Sequence, residues 1–278
     1  MEFFLNLLRS VAYGIIEGVT EWLPISSTGH MILAEQVLKF SFSAEFMEMF
    51  RVVIQLGAIL AVVVLYFKKL WPFCADNGRD SGFSRHFRWP VVRLWCKIIV
   101  ACVPAAVLGL LLDDWLDAHL YNSITVALML IIYGIAFILI ERRPRVPTTT
   151  KLSRITYKQA LIVGAWQVLA LIPGTSRSGS TIIGGLLCGM SRPAASQFTF
   201  FLAIPVMAGA SGLKLVKFLA EISALLVGCI VAFVVSMLAI RFLMNYVKKH
   251  TFTAFGWYRI ALGIVVLGIW VLQTFVLA

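Results

Sequence analysis

Charge is what this chain has least of. Asp, Glu, Lys and Arg together make up 13% of its 278 residues, where a soluble domain carries roughly a quarter. Acid is the scarcer sign, with 13 Asp and Glu against 24 Lys and Arg. So few charged side chains cannot coat a water-facing surface, which excludes an ordinary soluble globule. There are four histidines and five cysteines. The cysteines (Cys74, Cys96, Cys102, Cys188, Cys229) form no CxxC pair and no metal-ligand spacing. They are expected as separate free thiols, without a disulfide framework. The start of the chain lacks a basic stretch and a small-residue cleavage site, and its first apolar run contains Glu17. A cleaved signal peptide is therefore not expected.

What fills the chain instead is hydrocarbon: 60% apolar residues and a mean hydropathy of +0.92. Apolar runs recur at 52–67, 98–112, 124–140, 198–213, 222–240 and 260–277. Several approach the ~20 residues that a helix needs to cross ~30 Å of bilayer. The formal charge of +11 does not point to nucleic acid, because of where it sits. Lys68, Lys69, Arg79, Arg85, Arg88, Arg93 and Lys97 share one connection; Arg142, Arg143, Arg145, Lys151, Arg154 and Lys158 share another; Arg241, Lys248 and Lys249 form a third. Between them come acidic connections, with Glu45 and Glu48 in one and Asp113, Asp114 and Asp117 in the next. That alternation is the positive-inside pattern of a multi-pass membrane protein. With the basic loops cytoplasmic, six full transmembrane spans follow: 48–67, 96–112, 123–140, 196–216, 222–246 and 254–277.

Two apolar segments resist this scheme. Leu23 to Gly29 (LPISSTG) and Ile172 to Gly179 (IPGTSRSG) are broken by Pro and Gly amid hydroxyl residues. Pro and Gly free backbone groups that lipid cannot satisfy, so such a break must be buried in protein or line a wet cavity. Both are read as re-entrant helical hairpins, over 8–40 and 157–190, which keeps every basic loop inside. Aligning Pro24 with Pro173 sets Ser26 and Ser27 against Thr175 and Ser176, and each hairpin precedes three spans. The expectation is an all-α, single membrane domain made of two inverted-topology repeats, 1–145 and 150–278, whose broken helices meet near the midplane.

The breaks carry the reactive side chains. Glu17 and Glu21 stand at i and i+4, on one helix face. Buried together they repel, unless a cation or a shared proton lies between them. Ser26, Ser27 and Thr28 offer hydroxyls in irregular backbone, although hydroxyls just before a helix are also ordinary caps. His30 can give or take a proton near neutral pH. The second break supplies the opposite sign: Arg177 lies among Ser176, Ser178 and Thr181. A guanidinium at a broken-helix turn is an anion clamp, with phosphate the natural anion. Arg177 could also neutralise Glu17 or Glu21 across the interface between halves, and both roles can hold in the resting state. Gln55 and Gln167 are polar interruptions in apolar runs, expected to hydrogen-bond between helices.

The pairing of EGVTEWLPISSTGH with PGTSRSGST, together with VIQLGAILAVV, resembles the undecaprenyl-pyrophosphate phosphatases, the bacitracin-resistance phosphatases of bacterial inner membranes. The resemblance runs over essentially the whole chain. It implies a hydrolase that removes the terminal phosphate of a C55 polyprenyl pyrophosphate carrier, with the site open to the outer side. It also implies a divalent cation, Mg²⁺ or Ca²⁺, held by Glu17 and Glu21. Carried over by position, Glu17, Glu21, Ser27, His30 and Arg177 are the expected catalytic set, and Ser26, Thr28, Ser176, Ser178 and Thr181 the expected substrate-binding hydroxyls. Either Ser27 attacks phosphorus, with His30 helping to move its proton, or Glu21 activates water while Ser27 binds phosphate. A homodimer is compatible with either, and no nucleic-acid partner is expected. The rival from another class is a lipid-phosphate transporter or flippase, since broken helices in inverted repeats also build transporters.

Overall fold

The computed structural model describes residues 2–38, 44–75, 82–143, 146–215 and 222–275. The ends of the expected hairpin 8–40, of the expected spans 196–216 and 254–277, and of both expected repeats, with part of two charged connections (Arg79, Arg145), lie outside the described residues. Among the described residues there are ten α-helices and no strand, only two isolated bridges. The helices are α1 (Glu2–Thr20), α2 (Ser27–Val37), α3 (Ala44–Leu70), α4 (Trp89–Leu120), α5 (Ser123–Arg142), α6 (Tyr157–Val168), α7 (Arg177–Leu187), α8 (Arg192–Leu215), α9 (Ile222–Tyr246) and α10 (Thr253–Phe275).

Local chemistry sets several of the boundaries. Asn122 opens α5, its side chain accepting from the Thr125 amide at 2.9 Å. Thr156 and Gln159 open α6 with a reciprocal box: the threonine hydroxyl accepts from the Gln159 amide at 3.1 Å, and the glutamine oxygen accepts from the Thr156 amide at 3.0 Å. Such caps satisfy amides that a helix start leaves unpaired.

Five helices are long and apolar enough to cross a bilayer: Met49–Leu70, Trp89–Leu112, Ser123–Arg142, Ser223–Tyr246 and Thr253–Phe275. They match five of the six expected spans. The sixth expectation falls on α8, which differs in kind. Six consecutive residues, Phe198 to Ala203, are fully buried, so this stretch of α8 is covered on every side, with α3, α4 and α7 as its main neighbours.

α1 shows what solvent the fold is built for. Its buried face is polar or small, including Asn6, Ser10, Gly14, Glu17 and Gly18, while Phe3, Phe4, Leu8 and Ile15 face outward. In water this helix would be inside out; in lipid it is the right way round.

Small residues let backbones close on one another. α1 packs on α9, where a Cβ on Gly14 would lie 2.7 Å from the Gly228 carbonyl. α6 packs on α4, where a Cβ on Gly164 would lie 2.4 Å from the Ala101 carbonyl. α5 and α10 pack through Gly134 and Gly256, where a Cβ on either would come within 2.7 Å of the other's oxygen. Gly185 also marks a close contact, with Ala195. All five cysteines are free thiols. At the end of the molecule carrying the basic connections, Glu141 binds Arg192 (Nε to Oε1, 2.8 Å) and accepts from the Phe252 amide at 3.1 Å. One carboxylate thus fastens α5, α8 and the turn before α10.

Candidate active site

The first break follows α1. Glu21 still donates its amide to the Glu17 carbonyl at 3.0 Å, but Pro24 has no N–H, and the Ile25 amide turns back to Leu23 O at 2.7 Å. Ser26 then takes φ 72°, ψ 106°, and its hydroxyl accepts from the Gly29 amide to start α2. The second break repeats this geometry. Ser176 has φ 70°, ψ 120°, and its hydroxyl accepts from the Gly179 amide at 3.2 Å to start α7. Among the described residues these two serines are the only non-glycine residues at positive φ. Such a conformation costs ~1–3 kcal/mol and persists only where the surroundings impose it.

The matched serines set the register between breaks. Ser26 pairs with Ser176, and the same spacing pairs Gly14 with Gly164, Glu17 with Gln167, and Gly29 with Gly179. The proline-anchored alignment, which set Ser27 against Ser176, is therefore one residue out. The reason is that the capping serine, and not the proline, fixes where each helix restarts. In this register Ser27 of the first break stands where Arg177 stands in the second.

The two breaks touch. Arg177 Nη2 is 3.0 Å from Glu21 Oε1, with both side chains largely buried. Ser27 Oγ donates to the other oxygen of the same carboxylate, Oε2, at 3.0 Å. Arg177 Nη1 donates to the Thr199 carbonyl on α8 at 3.1 Å. Below this group lies Trp22, 5.9 Å from the guanidinium and edge-on to Phe200 at 5.3 Å. Acid, hydroxyl and guanidinium, drawn from sequence positions 156 residues apart, thus form one chain of contacts.

The other expected residues hold the frame. Ser178 donates to the Leu23 carbonyl at 3.3 Å, tying the second break to the first. Thr181 donates to the Arg177 carbonyl at 2.8 Å and pairs with the Thr199 hydroxyl at 2.9 Å. Ser26 and Ser176 serve as the caps, and Thr28 is half-buried in the first turn of α2. His30 is not directed at Ser27. Its Nδ1 is 2.7 Å from the Ser26 carbonyl and its Nε2 2.7 Å from the Tyr258 hydroxyl, on which the ring also stacks. A carbonyl only accepts, so Nδ1 carries a proton; in the neutral ring Nε2 then accepts from Tyr258. The neutral ring then has no lone pair left for Ser27. Gln167, expected to bond between helices, is buried with both side-chain polar atoms unpaired.

That last observation belongs to a pattern. Among the described residues, the buried side-chain polar atoms without a partner are Glu17 Oε1, Trp22 Nε1, Gln167 Oε1 and Nε2, Thr175 Oγ1, Arg177 Nε and Arg259 Nε. All lie on the breaks, on the helices leading into them, or on Arg259, which touches both. Buried polar groups are ordinarily satisfied. Concentrating an unpaired carboxylate oxygen and an unpaired guanidinium N–H at one junction leaves capacity there for a charged ligand. The carboxylates also suit a hard divalent cation, which takes oxygen ligands and completes its shell with water or phosphate. No cluster of three or more His, Cys, Asp or Glu exists among the described residues, so Glu17 and Glu21 are the acidic side chains that such a cation would meet at this junction.

Two residues outside the expected set matter here, both on α10. Tyr258 holds His30, as above. Arg259 is fully buried and donates to the carbonyls of Pro24 (3.3 Å), Gly174 (2.9 Å) and Thr175 (2.8 Å), bridging the two breaks, and to Met129 O on α5 (3.4 Å). The signal was present as an arginine inside the apolar run AFGWYRIALGIVV, since an ionisable residue at membrane depth is a site residue by default.

Fold and site together define a polytopic helical membrane protein with a buried acid–hydroxyl–guanidinium centre between two broken helices. Residues 10–265 match the family described as "Bacitracin resistance protein BacA", and the chain belongs to that family. It is 58% identical over 277 residues to an undecaprenyl-diphosphatase of Enterococcus faecalis, covering 96% of this chain and 98% of that one. It is 56% identical over 273 residues to one of Desulfitobacterium hafniense, covering 94% and 95%. With one of Streptococcus thermophilus the identity is 53% over 276 residues, covering 96% and 94%.

Proposed function

We propose that this protein is an integral-membrane undecaprenyl-diphosphatase, hydrolysing the C55 lipid pyrophosphate to undecaprenyl phosphate and inorganic phosphate. The activity recycles a lipid carrier for cell-wall synthesis and underlies resistance to bacitracin. The observation that carries the reading is Glu21 bonded at once to Ser27 and to Arg177.

That arrangement supports the following steps. Glu21 takes the Ser27 proton through the existing 3.0 Å hydrogen bond, and Ser27 Oγ forms a bond to the terminal phosphorus. The anhydride P–O bond breaks, and undecaprenyl phosphate leaves with the electron pair. Water then hydrolyses the phosphoserine and the proton returns from Glu21. Arg177 stabilises charge on the phosphoryl oxygens, with its buried unpaired Nε–H available to them. Glu21, rather than His30, is the base in this scheme, because both ring nitrogens of His30 are engaged elsewhere. A divalent cation, Mg²⁺ or Ca²⁺, would be held by Glu17 and Glu21 and would neutralise phosphate charge. The prenyl tail needs no polar partner and lies against apolar helix surface open to the bilayer.

In the same proposal α2, α6 and α7 belong to re-entrant hairpins. At 11, 12 and 11 residues they are ~16–18 Å long, about half the hydrocarbon thickness. α8 is the sixth span, crossing inside a sheath of protein. The pairings α1 on α9, α6 on α4 and α5 on α10 support two inverted repeats. The basic connections support an orientation in which they face the cytoplasm and the site opens toward the outer side of the cytoplasmic membrane.

Phosphate release from C55 pyrophosphate by purified protein in detergent, with and without chelator, tests the function. Release without any compartment, falling in chelator and restored by Mg²⁺ or Ca²⁺, is the expected result. No release would favour the transporter. A trapped phosphoserine places the attack on Ser27, whereas substantial turnover by Ser27→Ala transfers it to water.

A further inference from the structure

Arg259 is a buried cation without an anion. Its side chain enters from α10 with no solvent exposure. None of the ion pairs among the described residues includes it: these join Arg51 to Glu35, Arg177 to Glu21, and Arg192 to Glu141. What holds it is a ring of backbone carbonyls and the face of Tyr133, 5.6 Å away. A buried charge is costly unless hydrogen bonds or an opposite charge offset it. A chain this apolar retains such a group at the junction only if something else needs it there.

The carbonyls it grips show what that is. Pro24 O lies two residues before Ser26; Gly174 O and Thr175 O lie two and one before Ser176. These are the segments leading directly into the two strained caps. A planar fork reaching both sides of a junction fixes their separation and twist together, which a single ammonium does not do. Nη1 also lies within 3.1 Å of where a Cβ on Gly179 would be, so the guanidinium abuts the first turn of α7 as well.

We propose that Arg259 is the positioning residue of the reaction centre. Its guanidinium holds the two strained turns in register, so that Glu21 and Ser27 from one face Arg177 from the other. Its unpaired charge is a standing part of the field that receives the pyrophosphate. Arg259 does not touch the substrate, and it acts through Arg177 and the turn that carries it. The proposal rests on the phosphatase reading of the site.

The test compares Arg259→Lys, Arg177→Lys and the double variant, purified in detergent, for kcat and KM with C55 pyrophosphate and for thermal unfolding. Misplacing a reacting group by about an ångström can cost ~10²-fold. Arg259→Lys is therefore expected to lose ~10²-fold in kcat with melting within a few degrees of the parent. In the Arg177→Lys background the same change should cost less than about threefold, because the geometry it protects is already lost. A merely structural role would lower melting while the folded fraction kept the parent kcat, and its cost would multiply with that of Arg177→Lys. Either result overturns the proposal. Should Arg259→Lys not fold, Gly179→Ala displaces the same Nη1 while favouring helix. It is expected to lower kcat ~10-fold in a stable protein, and an unchanged kcat would overturn the proposal. Normal activity in Arg177→Lys alone would instead remove the underlying site.

Discussion

The two breaks have one backbone and opposite chemistry. Ser26 and Ser176 share a left-handed φ near 70° and the same bond to a glycine amide three residues on. Around these matched frames the side chains diverge. Before the first cap stands Glu21, and after it Ser27 and His30; at the corresponding places the second break has Leu171, Arg177 and Ser180. Glu17 is likewise answered by Gln167. The frame is doubled because a strained turn needs a partner to brace it. The charges are not doubled: the acid stands in the first break and the cation in the second, so that Glu21 and Arg177 face each other.

That comparison can be broken or sharpened by mutation. The largest effect should come from Glu21→Gln, which removes the proposed base and leaves Arg177 buried without its carboxylate. Phosphate release is expected to drop ~10³-fold and stability by about 3 kcal/mol. Retained activity would show that the acid of the first break is only a counter-ion. Next is Arg177→Lys, expected to lose ~10²-fold in kcat, since one ammonium cannot reach both Glu21 and the Thr199 carbonyl as the fork does. Smaller changes test the shared frame. Ser26→Ala and Ser176→Ala should each cost about 1 kcal/mol in denaturation through loss of the cap. Their glycine counterparts should be nearly neutral, because relief at positive φ offsets the lost bond. A difference between the two sites well above about 1 kcal/mol would mean that the frames are not equivalent. The smallest effect belongs to Tyr258→Phe, which keeps the stack on His30 and loses one hydrogen bond worth about 1 kcal/mol. Turnover should fall less than about fivefold. A loss of 100-fold would make the His30–Tyr258 pair part of the proton path.

Much of the site was legible because lipid makes charge conspicuous. Glu17, Glu21 and Arg177 stand out in an apolar chain, and Pro24 and Pro173 mark where helices must stop. Three things were not legible. The register between the breaks depends on which residue takes positive φ, and serine gives no advance sign of doing so. The direction of His30 depends on Tyr258, 228 residues away. Arg259 shows in the sequence as a charge inside an apolar run, but that it grips carbonyls of both breaks is set only by packing. Likewise, α8 reads as one more crossing, but the burial of Phe198–Ala203 on all sides is a property of the packed whole.

The sequence by itself determined the apolar solvent, the positions of five membrane-crossing helices, and the places where two others must break, because hydropathy and proline act locally. Tertiary structure alone decided that acid and guanidinium meet, which serine faces which, and that a buried arginine fastens the two turns. Those depend on distances between residues far apart along the chain, and only packing sets them.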